Sequence, residues 1–204
     1  QLAPFIRQEN GIINKTITID VNFNIMWGES DFHLDLADFE DGIVQDNIFG
    51  SSIRKLCDIY EFITLCLHHY KDLNSIYLLY THGFKIKHLC DIYHFLINHP
   101  NITPQQLHET SQKYRVSDYI YCCILYTFCF FGDEYLQPYL KILSSDSAKQ
   151  CFQFFGLNIQ EQREWTLPFE KRILPVELKK YLDGILSKND IKKIETNKLM
   201  LHSF

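Results

Sequence analysis

The feature that most constrains this chain is a change of hydrophobic period. Between residues 12 and 27 apolar and polar side chains alternate strictly: Ile17, Ile19, Val21, Phe23 and Ile25 on one side, Thr16, Thr18, Asp20, Asn22 and Asn24 on the other. A β-branched run of period two predicts a long strand with one face on a core. From Asp58 the period becomes helical, with Ile59, Phe62, Ile63, Cys66 and Tyr70 on one stripe. The helical period then persists. The predicted fold class is therefore α+β, a small N-terminal β element followed by a mainly helical body.

The helix boundaries carry their own chemistry. Asp58 and Glu61 have capping-box spacing, with Asp in place of Ser or Thr. Residues 87 to 98 form a second helix. Thr103-Pro104 is a capping hydroxyl followed by proline at the first helical position, so a third helix starts there and runs to about Tyr114. Ser117 caps a fourth, ending near Phe131. Residues 134 to 143, with Pro138 in the first turn, and 147 to 155 are short helices; 176 to 186 is amphipathic. Lys188, Lys192, Lys193 and Lys198 mark a polar end expected to fray. Residues 28 to 31 are turn-forming. Asp31, His33 and Asp35 alternate with Phe32, Leu34 and Leu36, as a second strand or the first turn of a helix. An acidic loop then runs through Asp46 and Gly50.

With 204 residues, 46% hydrophobic and 15% aromatic, the chain can bury a real core, which excludes disorder. A net charge of −5 argues against general nucleic-acid binding. Seven cysteines, an odd number mostly inside apolar runs, fit a reduced cytoplasmic protein. The longest apolar stretch, residues 119 to 131, is short of the roughly 20 residues of a membrane span, so no membrane partner is expected.

Four groups of residues invite a chemical reading. Asp20 sits mid-strand on the polar face, presenting a carboxylate on a rigid element; one carboxylate alone holds Mg²⁺ poorly. Asp31, His33 and Asp35 share a face if extended, a donor set for Zn²⁺ or Mn²⁺ or simply a solvated edge. Cys66 with His69, and Cys90 with His94, have the spacing of a Cys2His2 zinc site, but both cysteines lie on apolar stripes and are assigned to packing. His68 and Asp91 are expected to pair and tie two helices together, and Cys122-Cys123 to pack. Walker-type loops, Gly-x-Gly-x-x-Gly, Gly-x-Ser-x-Gly and His-Glu-x-x-His are all missing from the sequence.

Three segments in order, Ile19-Asp20-Val21-Asn22-Phe23, Leu65-Cys66-Leu67-His68-His69-Tyr70-Lys71 and Leu89-Cys90-Asp91-Ile92-Tyr93, resemble the C-terminal half of a bacterial nucleotidyltransferase family of the polymerase-β-like superfamily. The change of period and the prolines at 168 and 175 divide the chain into residues 1–50, a helical domain over 51–155 and a C-terminal extension over 156–204 with one amphipathic helix; the resemblance implies residues 1–50 as the β-rich remnant of a nucleotidyltransferase sheet. It implies Asp20 as the third carboxylate of a site that uses Mg²⁺ and a nucleoside triphosphate to modify an acceptor hydroxyl of unknown identity. Residues 1 to 16 contain neither the family's Gly-Ser turn nor its Asp-x-Asp strand, and Asn22 stands where the family often has His. The chain alone is thus expected to be inactive. Two readings stay open. A catalytic half precedes Gln1 in the parent, which the non-Met start favours, or the chain is a non-catalytic helical module for a peptide or protein partner.

Overall fold

A computed structural model of the chain describes residues 5–9, 15–19 and 30–201. At the N-terminus β1 (Phe5–Glu9) pairs antiparallel with β2 (Lys15–Ile19), Phe5 opposite Ile19 and Glu9 opposite Lys15. β2 falls within the long strand that the alternation predicts; residues 12 to 14 and 20 to 27 of that prediction, Asp20 among them, lie outside the described residues.

Residues 31 to 36 build no second strand; of the two alternatives the helix start is the nearer, displaced to the end of the segment. Asp35 caps a 3-10 helix, Leu36–Gly42, its own N–H donating to Asp38 Oδ2 at 2.9 Å while its side chain takes the returning N–H of the capping box. The expected acidic loop is a hairpin. β3 (Ile43–Ile48) and β4 (Ser51–Leu56) pair over six residues each. Phe49 and Gly50 turn the corner with φ of 52° and 80°, the two-residue left-handed turn that matches strand twist. Glycine takes that conformation freely; Phe49 takes it with its ring fully in solvent.

Ten helices follow among the described residues. α1 (Asp58–Asn74) begins one residue earlier than the capping-box reading requires: Cys57 is the N-cap, and Asp58 and Glu61 lie in the first turn, where their charge suits the helix dipole. Asp58 accepts instead from Asn101 Nδ2 at 3.1 Å. α2 (Ile76–His82) is capped by Ser75, and α3 (Ile86–Asn98) follows. α4 (Pro104–Lys113) starts where Thr103-Pro104 places it, with a full capping box between Thr103 and Gln106. α5 (Ser117–Phe131) takes Val116 as N-cap, leaving Ser117 to bond Ser111 Oγ at 2.8 Å, and ends on left-handed Gly132. A 3-10 turn leads into α6 (Gln137–Leu143), with Pro138 in its first turn; α7 (Asp146–Gln153) is capped by Ser145. A two-residue β5 (Phe154–Phe155) and β6 (Arg163–Glu164) pair antiparallel before α8 (Phe169–Arg172) and α9 (Pro175–Ile185). The lysine-rich end, expected to fray, forms α10 (Lys188–Leu201).

α5 is the hub. Ile120, Tyr121, Cys122, Cys123, Ile124, Tyr126 and Thr127 are all buried, so the helix is apolar nearly all round, as a central helix must be. It packs against α1, α3, α4, α6 and α7. One hydrophobic core runs from Leu34 to Ile194, taking in Trp165, Leu178, Leu182 and Leu186 from beyond residue 156; residue 50 falls inside the β3–β4 turn. The α+β arrangement read from the sequence stands.

Candidate functional site

α1 and α3 cross the same face of the core in opposite directions: the rings of Phe62 and Phe95 meet at 5.6 Å near one end, those of His69 and His88 at 4.1 Å near the other. His69 continues the buried line Phe62, Cys66, Leu73 on α1, and His88 continues Ile92 and Leu96 on α3. Helical spacing therefore drives two imidazoles toward each other inside the protein. His69 is 4% exposed and His88 7%.

Two carboxylates border them. Asp91 Oδ2 lies 3.4 Å from His69 Nε2, and Asp72 Oδ2 lies 3.2 Å from His88 Nε2. These are ion-pair approaches to one nitrogen of each ring; the Nδ1 atoms of His69 and His88 lack a hydrogen-bond partner. Burial chiefly, then the neighbouring His88 and His68, pushes His69 down to about 3, which keeps its ring neutral. Burial would raise Asp72, but His88, His68 and Lys71 outweigh it and hold the carboxyl below its ordinary value. The neutral His69 ring, the His88 ring beside it and the two bordering carboxylates form a donor set, able to bind a cation or to hold a proton.

The sequence-derived candidates fare differently. Asp20 lies outside the described residues. Asp31 accepts the Ile159 N–H at 2.7 Å, a contact with a distant part of the chain, and Asp35 caps its helix; the two acids do not form a donor cluster with His33. Cys66 is buried, its carbonyl accepting from Cys123 Sγ at 3.2 Å, whereas His94 is exposed; these two do not share a site. Cys122 donates to the carbonyl of Cys151 at 3.3 Å, in keeping with packing. The expected pair of His68 and Asp91 is re-partnered. His68, exposed on the next face of α1, turns to Asp72 at 3.8 Å and Lys71 at 3.4 Å, and Asp91 meets His69 instead. Adjacent helix positions point about 100° apart, and the inward one reaches α3. Sequence reasoning missed His88 and Asp72. The available signal was a histidine falling on each buried stripe.

A separate cleft of about 320 Å³ opens between the hairpin and α4, lined by Lys55, Cys57, Asn101 and Gln106 among others. It lies at the start of α1, roughly 18 Å along the helix from His69 by the 1.5 Å rise per residue. No helix among the described residues is long and apolar enough to cross a membrane.

A small N-terminal sheet feeding a helical body with a carboxylate–imidazole cluster defines an α+β protein with a polar site on its helices. Its family is specific: the family model for an uncharacterised nucleotidyltransferase matches residues 4–132, from β1 to the end of α5, and the chain belongs to that family. Comparisons with curated proteins and with solved structures gave no match.

Proposed function

We propose that this chain serves the transfer of a nucleotidyl group from a nucleoside triphosphate to an acceptor hydroxyl. The observation that carries the reading is the family match, which spans both the Asp20 segment and the helices of the polar cluster. In such a transfer the acceptor oxygen bonds to the α-phosphorus, the bond to pyrophosphate breaks in line, and the hydroxyl proton leaves to a base or solvent. Mg²⁺ would supply charge neutralisation on the phosphates and acidify the hydroxyl.

Asp20 would hold that ion on the acceptor side, next in sequence to the end of β2. A site of this kind uses several carboxylates, and residues 1 to 16 supply no Asp-x-Asp. Asp20 is therefore one contributor and not a complete centre. The helical body would position the acceptor.

The test uses protein translated from the complete reading frame, with and without Asp20→Asn. Transfer of label from an α-labelled nucleoside triphosphate should fall roughly a hundredfold or more in the variant. Folding stability should stay within the range of an exposed substitution, about 0.5 kcal/mol. Near-normal turnover in Asp20→Asn would remove Asp20 from the reaction.

A further inference from the structure

We propose that His69, His88 and Asp91 form a divalent-metal site of the zinc class that braces α1 against α3, with Asp72 orienting His88. Nothing in this inference depends on Asp20 or on nucleotidyl transfer.

Geometry carries it first. Among the described residues, these three form the group whose donor atoms could hold a metal, all lying within 4.8 Å of one another. Donors on a tetrahedral zinc, each about 2.0–2.1 Å from the ion, stand about 3.4 Å apart. His69 Nε2 and Asp91 Oδ2 are separated by 3.4 Å. The remaining donor, on His88, lies within 4.8 Å of the other two.

The second observation is independent. Two histidines, both more than nine-tenths buried, face each other; a carboxylate approaches each Nε2, and neither Nδ1 has a hydrogen-bond partner. Buried polar groups are nearly always satisfied, and a pair left so in a well-packed helical interface needs a ligand between them. A carboxylate can accept the one N–H of a neutral imidazole, but it leaves that ring's bare nitrogen without a donor. A cation accepts lone pairs from both rings and charge from Asp91 at once.

The donor chemistry selects the ion. Two imidazoles and one carboxylate suit Zn²⁺ and disfavour Mg²⁺, which demands oxygen donors. Asp72, 3.2 Å from His88 Nε2, has the place of the carboxylate that accepts the far N–H of a ligating histidine and fixes its tautomer. Asp91 is 37% exposed on its side chain, so the ion would enter past it and keep a solvent position there.

The experiment strips the full chain with chelator and titrates it with Zn²⁺, and with Co²⁺ as a spectroscopic probe. One equivalent should bind, Co²⁺ should give the intense visible bands of tetrahedral coordination, and Zn²⁺ should raise the thermal midpoint. Asp91→Asn and His88→Gln should each weaken binding at least tenfold, and Asp72→Asn by roughly 10- to 100-fold. Asp20→Asn and Cys90→Ala should leave the affinity unchanged, which separates this site from the nucleotidyl-transfer centre. Should His88→Gln not fold, Asp91→Asn, at a partly exposed position, decides between the outcomes. A folded chain that takes up no stoichiometric Zn²⁺, or uptake unaltered in Asp91→Asn, would overturn the assignment.

Discussion

Gly42 lies flat against the ring of Tyr60: a Cβ at position 42 would stand 2.6 Å from both Cδ1 and Cδ2. The ring cannot retreat. Its hydroxyl donates to Asp41 at 2.8 Å, and buried Phe39 meets it edge-on at 5.3 Å. Gly42 also accepts the Cys57 N–H at 2.7 Å through its carbonyl, so the backbone is held as well. Gly42→Ala should therefore cost about 1–3 kcal/mol as an overpacked contact, read as a lower urea midpoint with unchanged slope. A variant as stable as the parent would show that the 3-10 segment slides freely on α1.

Asp41 ties that same segment to α1 and α4. Its Oδ1 accepts from Tyr114 at 2.6 Å, and Oδ2 takes the Tyr60 hydroxyl and the Lys113 ammonium. Lys113 first, then Tyr114 and Tyr60, hold the carboxyl far below its ordinary value of 3.8. A lowered folded value stabilises the protein above the unfolded value and ceases to do so as pH falls through the folded one. The thermal midpoint of the parent should exceed that of Asp41→Asn by a constant margin from neutral pH down to about 3.8, and the margin should shrink at lower pH. A margin growing on acidification would refute the sign.

Thr103 accepts the Gln106 N–H at 3.2 Å, and Gln106 returns its side-chain oxygen to the Thr103 N–H at 3.2 Å. Thr103→Ala removes the first of these and should cost about 1 kcal/mol. Thr103→Ser should restore most of it, measured by chemical denaturation of both variants. Equal loss in the two would mean that the methyl group matters and the cap does not.

What was legible in the sequence follows from which forces are local. α3 and α9 are written in their apolar stripes, α4 in its Thr103-Pro104 cap and α5 in its unbroken apolar run, because these signals are local to each helix. The β3–β4 hairpin was hidden: β4 is almost wholly solvent-facing, so no apolar alternation announces it, and a phenylalanine occupies a left-handed turn position. α2 was hidden because Ser75 caps it directly after α1 with no polar gap between. The His69–His88 cluster depends on how α1 and α3 are rotated against each other. A modest rotation of either helix would pair different residues, and that rotation is set by α5, which packs against both.

α5 touches five other helices and buries most of its surface. Its amide hydrogens therefore have no small local fluctuation through which to meet solvent; they exchange only when several helices separate together. The slowest deuterium uptake in the molecule should fall on residues 120 to 127 and report the global unfolding free energy. The Phe49–Gly50 tip, by contrast, can be cut, lengthened or fused to another protein without disturbing what α5 holds together.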